Sequence, residues 1–118
     1  MSKPLDAWVD GVPAAVRIEL AGDITGDADA VLADAYAQAV ALDASEVLLD
    51  FSRVDYINST GIALIVRLLA DARRSHRTVR ARGLSAHYVQ IFRITRLSDF
   101  MTVEDADVPM PSMQGSGQ

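Results

Sequence analysis

Three small polar side chains stand together where an apolar segment of the sequence gives way to a helical pattern: Asn58, Ser59 and Thr60. Their oxygens can accept hydrogen bonds from the unpaired N–H groups at the start of a helix, so all three residue types favour the N-terminal cap. A serine hydroxyl can also act as a nucleophile when a neighbouring base activates it. The cluster is therefore compatible with two roles, helix capping and covalent catalysis.

The sequence lacks the features that would make Ser59 a catalytic nucleophile. Residues 57–61 do not have the leading glycine of the Gly-x-Ser-x-Gly elbow, and neither His76 nor His87 lies in a pattern that pairs it with this serine. The two histidines also lack nearby carboxylates at a metal-ligand spacing, and the chain contains no cysteine. We therefore predict no enzymatic activity, no catalytic residue and no metal site.

Strand patterns lie on both sides of a first helical stretch. Residues 15–20 alternate apolar and charged side chains, which predicts a strand with one buried face. The turn dipeptide Asp10-Gly11 before it predicts an antiparallel hairpin with a short strand at residues 8–9. The continuous apolar run in residues 46–51 predicts a central strand covered on both faces. A loop is expected to follow at residues 52–58.

Helical patterns connect these strands. Apolar side chains recur at spacings of three and four in residues 28–40, with Thr25 or Asp27 available as the cap. A second stripe of this kind begins at Ser59. The polar cluster is therefore expected at the junction between a buried strand and a helix.

The remaining elements complete an alternating arrangement. Ser85 can cap a third helix with Tyr88 or Val89 on its apolar side, and short strands are expected at residues 78–82 and 100–103. Strands that alternate with helices predict an α/β domain with a mixed, mostly parallel sheet of about four to five strands. An antiparallel N-terminal edge hairpin and about three to four helices belong to this arrangement.

Length and composition agree with one compact domain. The chain has 118 residues, half of them apolar. Residues 1–105 are expected to form the domain, and residues 106–118, rich in Pro, Gly, Ser and Gln, a disordered tail. The absence of cysteine favours a reducing cytoplasm, and no apolar run approaches the ~20 residues of a spanning helix. We predict a cytoplasmic protein without membrane insertion.

Charge is distributed unevenly along the chain. The net charge of -5 argues against nucleic-acid binding, which requires basic groups that neutralise phosphates. Residues 1–66 carry eleven acidic and three basic side chains, whereas residues 67–96 carry eight arginines and one aspartate. The basic segment is either a docking surface for a charged partner or a set of solvated side chains, and the sequence leaves both readings open.

The polar cluster belongs to a longer stretch that resembles the signature of the STAS family, the domain of sulfate transporters and anti-sigma factor antagonists. In that signature a strand leads into Asp-Leu-Ser-like residues and then Asp-Ser-Ser/Thr-Gly, which appear here in residues 50–52 and 58–61. Residues 20–24 look like the family's Gly-Glu/Asp-hydrophobic turn, and residues 91–97 like its late helix end. The resemblance covers nearly everything except the tail.

The resemblance implies a role in partner switching. A freestanding chain of this kind is similar to bacterial anti-sigma factor antagonists, which bind an anti-sigma factor that is also a serine kinase of the ATPase-kinase fold and so free the sigma factor. The family's phosphorylated serine corresponds to Ser59. Phosphorylation would switch the antagonist off, and a serine phosphatase would reverse it. ATP and Mg²⁺ would belong to the partner kinase, so no cofactor is expected in this chain.

The resemblance also implies which residues contact the partner. The expected surface surrounds the phosphoacceptor and consists of Asp23, Thr25, Asn58, Ser59, Thr60, Gly61 and Ile62. Asp23 fits a turn residue in a solvated loop equally well. Asn58 replaces the aspartate of many members, which leaves open whether a kinase needs a carboxylate there. The alternative function is a scaffold subunit of a signalling complex or transporter that is never phosphorylated.

Overall fold

The computed structural model describes residues 3–104, which form one five-stranded sheet and three α-helices. The elements follow one another as β1 (Asp6–Val12), β2 (Ala15–Ile24), α1 (Asp29–Ala41), β3 (Glu46–Ile57), α2 (Ser59–Arg74), β4 (Thr78–Arg82), α3 (Ala86–Ile94) and β5 (Thr102–Val103). Single 3₁₀ turns occupy Gly26–Ala28 and Leu97–Asp99. The predicted tail at residues 106–118 lies outside the described residues.

The strands are arranged in the sheet in the order in which they occur along the chain. β1 pairs with β2 in an antiparallel hairpin, and β2, β3, β4 and β5 then pair in parallel, each connected to the next by a helix. The predicted α/β fold with a mixed sheet and an antiparallel N-terminal edge is confirmed. The predicted turn at Asp10-Gly11 is wrong, because both residues pair within β1 and the hairpin turns at residues 13–14. Within residues 3–104, no helix has the length and apolar character to cross a membrane.

The hydrophobic core lies between the helices and one face of the sheet. The side chains that the three central strands direct to this face are almost completely buried: Val16, Ile18, Leu20, Val47, Leu49, Phe51, Val79 and Ala81. Phe92 of α3 meets Phe51 edge-on, with ring centroids 6.0 Å apart, so α3 packs on the same face. Burial of these side chains is the main source of stability.

The opposite face of β3 differs from the sequence prediction. Leu48 on this face is half-buried, and among residues 3–104 no helix covers it. The expectation of a strand covered on both faces is therefore wrong. Leu48 lies in register between Arg17 of β2 and Arg80 of β4, whose aliphatic stems can shield it while their charged ends reach solvent.

The loop predicted after β3 is also wrong, because the strand continues to Ile57. The polar second half of β3 stays paired with β2, although the register is irregular at Glu19–Ala21 and Gly22–Asp23. The ladder ends with Ile24 beside Ile57. This extension places the start of α2 at the end of two paired strands rather than at the end of a free loop.

Two predicted helix caps have different outcomes. Ser85 caps α3, because its Oγ accepts a hydrogen bond from the Tyr88 N–H at 3.3 Å. The expectation that Thr25 or Asp27 caps α1 through its side chain is wrong. A 3₁₀ turn precedes α1 instead, and the Ala28 N–H donates to the Thr25 carbonyl at 2.9 Å, so backbone groups satisfy the helix start.

Candidate functional site

The polar cluster forms the first turn of α2, and Asn58 is its cap. Asn58 has an extended backbone, and its Oδ1 accepts a hydrogen bond from the Gly61 N–H at 2.8 Å. Its own N–H donates to the Ile24 carbonyl at 3.2 Å, and its carbonyl accepts from the Ile62 N–H at 2.9 Å. Such a cap stabilises a helix by about 1 kcal/mol. The position of the helix start is therefore fixed by the end of β2.

Ser59 is the first residue of α2, and its side chain is exposed, as is that of Thr60. Within the part of the chain that the structure describes, the Ser59 hydroxyl has no hydrogen-bond partner. Because Asn58 supplies the cap, the helix does not require this hydroxyl. Ser59 therefore presents a free hydroxyl to solvent at a helix N-terminus.

The first turn of α2 packs closely against the neighbouring strand and turn. A Cβ atom on Gly61 would lie 1.9 Å from the Ile24 carbonyl oxygen, so only glycine allows this approach. A Cβ on Gly26 would lie 3.3 Å from Thr60 Cγ2. The turn after β2, which includes the half-buried Thr25, and the start of α2 thus form one continuous surface around Ser59.

Asp23 lies at the same end of the sheet but is buried. Its Oδ2 accepts a hydrogen bond from the Lys3 N–H at 2.8 Å, and its own N–H donates to the Lys3 carbonyl at 3.1 Å. These bonds attach the N-terminal segment to β2. The structure thus places Asp23 in a structural role, and its contact with a partner stays a prediction.

Asp50 and Ser52, from the first half of the sequence signature, lie away from this surface. They are on the uncovered face of the sheet, about 20 Å along β3 from Ile57. Asp50 accepts hydrogen bonds from the Ser52 N–H at 3.0 Å and from its hydroxyl at 2.6 Å. Burial raises the pKa of Asp50, but the bonds from Ser52 and the charges of Arg82 and Arg17 lower it below its ordinary value. The pair stabilises the strand.

Tyr88 of α3 is a site residue that the sequence patterns did not identify. Its hydroxyl accepts a hydrogen bond from the Ile57 N–H at 2.8 Å and lies 3.4 Å from the Ile57 carbonyl, to which it can donate. Ile57 directly precedes the capping Asn58. The helical pattern indicated only that Tyr88 lies on the apolar side; the available signal was that a half-buried tyrosine hydroxyl needs a partner.

Among residues 3–104, no cluster of three or more His, Cys, Asp or Glu side chains could hold a metal ion.

The comparisons with known proteins agree with this architecture. A family model described as "Mlab, STAS domain" matches residues 8–104. The chain belongs to the STAS domain family. The matched residues run from β1 to the residue after β5, so the resemblance seen in the sequence is confirmed across the sheet and all three helices.

Solved structures of other proteins have the same fold as this STAS domain. An anti-sigma factor antagonist from Mycobacterium paratuberculosis is 18% identical, with a TM-score of 0.68 over 90% of this chain and 92% of that chain. SpoIIAA in its unphosphorylated form is 16% identical, with a TM-score of 0.61 over 85% and 88%. SpoIIAA of Bacillus in its phosphorylated form is 16% identical, with a TM-score of 0.64 over 86% and 93%. None of the curated protein sequences matches significantly.

Replacing Tyr88 with phenylalanine is expected to destabilise this STAS domain by about 1–3 kcal/mol, because the buried Ile57 N–H loses its acceptor. Urea denaturation followed by circular dichroism measures the change. Tyr56→Phe is the matched control, because it also removes a tyrosine hydroxyl but at a half-exposed residue. This substitution should lower the free energy of unfolding by less than about 0.5 kcal/mol. Equal stabilities of the two variants would show that the Tyr88 hydroxyl does not hold the end of β3.

Proposed function

We propose that this STAS domain is an anti-sigma factor antagonist. In its unphosphorylated form it binds an anti-sigma factor that is also a serine kinase, and the sigma factor is released. Phosphorylation of Ser59 ends this binding, and a serine phosphatase restores it. The chain acts in the cytoplasm and contributes no catalytic residue, while ATP and Mg²⁺ are bound by the kinase.

The observation that carries the proposal is the exposed Ser59 hydroxyl, which has no structural task because Asn58 caps α2. A kinase can reach such a hydroxyl without unfolding the helix. The similar structures support the same role, since they include an anti-sigma factor antagonist and SpoIIAA in both its unphosphorylated and its phosphorylated form.

A phosphate on Ser59 should leave the fold intact. The N–H groups of the first helical turn and the helix dipole favour an anion by about 0.3–1 kcal/mol. Phosphoserine adds a charge of roughly -1.5 to -2 and three acceptor oxygens to a surface of hydroxyl and amide groups. The switch must therefore act at the interface with the partner and not through unfolding.

The partner surface in this proposal is centred on Ser59. Thr60 is exposed beside it, and the half-buried Thr25, Asn58 and Ile62 border it. The buried Gly61 and Asp23 contribute indirectly by positioning this surface. Gly61 allows α2 to approach β2, and Asp23 fixes the end of that strand. A partner can thus contact the first turn of α2 and the turn after β2 at the same time.

Phosphorylation can be tested before the kinase is isolated. The purified chain is incubated with Mg-ATP and a soluble extract of its source cells, and intact-mass measurement and peptide mapping follow. We expect one phosphate on Ser59, retained in Thr60→Ala and absent from Ser59→Ala. Phosphate on another residue only, or none under any growth condition, would overturn the switch.

A second candidate keeps the fold and omits the switch. In it the chain is a constitutive scaffold subunit of a signalling complex or transporter, and Ser59 is only the first residue of a helix. The matching family model is compatible with this candidate, because its description, "Mlab, STAS domain", names no anti-sigma factor antagonist. Absence of phosphate on Ser59 in the preceding experiment is the outcome that this candidate requires.

A further inference from the structure

An uncharged stripe leads from Ser59 along the solvent side of α2. At 3.6 residues per turn, Ala63, Val66 and Ala70 lie close to the helix face that Ser59 occupies. Ala63 and Ala70 are exposed, and Val66 is 45% exposed. The opposite face of the helix is buried in the core through Ile65, Leu68, Leu69 and Ala72. The stripe is apolar and has only small or medium side chains.

The stripe ends in an apolar groove of about 360 Å³ between α2 and the segment before β5. Val66 and Leu69 form its wall on α2, and Leu97 and Phe100 form the wall opposite. Phe100 is 48% exposed, which leaves apolar surface in water. A groove of this kind can receive apolar side chains of a partner helix.

The rim of the groove is positively charged. The Arg73 guanidinium lies 5.1 Å from the centre of the Phe100 ring, and no carboxylate within residues 3–104 forms an ion pair with it. Arg74, also on the rim, pairs with Asp71 of the same helix. Several other arginines of the basic segment are paired as Arg67–Asp29, Arg77–Asp43, Arg80–Glu104 and Arg96–Asp99. Arg73 thus retains a charge that a partner carboxylate can neutralise.

We propose that this groove binds an acidic amphipathic helix of the partner protein. Apolar side chains of that helix fill the space between Val66 and Phe100, and a carboxylate pairs with Arg73. The small side chains of Ala63 and Ala70 allow the helix to approach α2 closely. The inference rests on the proposed function, because the groove and Ser59 lie on one continuous face of α2 and would contact the same partner.

A designed peptide tests the groove without the natural partner. The probe is an amphipathic helical peptide of roughly 16 residues, with leucines on one face and glutamates on the other. The matched peptide has lysine in place of every glutamate. Titration of the isotope-labelled chain by NMR should shift the amide signals of Val66, Ala70, Leu97 and Phe100. The acidic peptide is expected to bind at least tenfold more tightly than the basic one.

Charge-reversal variants of the chain distinguish binding in the groove from general electrostatic attraction of the peptide. Arg73→Glu should weaken binding of the acidic peptide at least tenfold and reverse the preference between the two peptides. Arg53→Glu makes the same charge change at an exposed position on β3 and should leave binding within twofold. Equal effects of the two substitutions, no signal shifts, or shifts at other residues would overturn the groove. These results do not depend on phosphorylation of Ser59, so failure here is distinguishable from failure of the switch.

Discussion

Ser59→Asp is expected to bind the proposed anti-sigma factor partner about a hundredfold more weakly than Ser59→Ala, whereas both variants should fold like the unmodified chain. A hundredfold loss corresponds to about 2.7 kcal/mol. Removal of the exposed hydroxyl in Ser59→Ala breaks no hydrogen bond within residues 3–104, so this variant should behave as the permanently active form.

The expected loss arises because the complex must accommodate a charge that the free protein tolerates. At the start of α2 the carboxylate lies beside the first-turn N–H groups and near the positive end of the helix dipole. In the complex the same carboxylate must be desolvated or meet like charge, and either can cost several kcal/mol. Aspartate carries less charge than phosphoserine, so the phosphorylated chain should bind more weakly still.

Isothermal titration of the isolated anti-sigma factor with each variant measures the difference. Ala37→Asp is the control for net charge, because it adds one carboxylate on the exposed side of α1, outside the proposed surface. This control should bind like the unmodified chain. Equal affinities of Ser59→Asp and Ser59→Ala would contradict the off switch, and an equally weak Ala37→Asp would attribute the effect to net charge alone.

Local patterns were sufficient to predict most of the fold. The spacing of apolar residues marks all three helices, and short strands separated by helices lead to a parallel sheet with one antiparallel edge. The same patterns could not show which face of β3 is uncovered. A leucine on an uncovered face of a sheet has the same sequence signal as a leucine beneath a helix, and only the tertiary structure shows that Leu48 lies between Arg17 and Arg80 with no helix over it within residues 3–104.

The candidate site was predictable in position but not in detail. Asn58, Ser59 and Thr60 are all residue types that favour a helix cap, so the sequence alone does not show which of them caps α2. Asn58 is the cap because of its hydrogen bonds to Gly61 and to Ile24, which is distant in sequence. Tyr88 was missed because its acceptor and donor partners belong to a residue 31 positions earlier in the chain. Periodicity describes which side of a helix is apolar, whereas such a hydrogen bond is determined only when α3 packs against the sheet.

Gly61→Ala is expected to destabilise the domain by about 2–3 kcal/mol, although the same change inside a free helix stabilises it by about 1 kcal/mol. The added Cβ would lie 1.9 Å from the Ile24 carbonyl oxygen, closer than any non-bonded contact allows. This carbonyl also accepts the Asn58 N–H, and Ile24 pairs with Ile57, so the strand can move away only by disrupting the cap and the ladder.

Thermal unfolding followed by circular dichroism should show a melting temperature lower by roughly 10–20 °C for Gly61→Ala. Gly26→Ala is the matched control, because its Cβ would meet only the Thr60 side chain, at 3.3 Å, and that side chain can rotate. Its stability should change by less than about 0.5 kcal/mol. Equal melting temperatures of the two variants would show that α2 can shift without cost. A selective loss in Gly61→Ala would instead mean that the position of Ser59 depends on the close contact between the first turn of α2 and the end of β2.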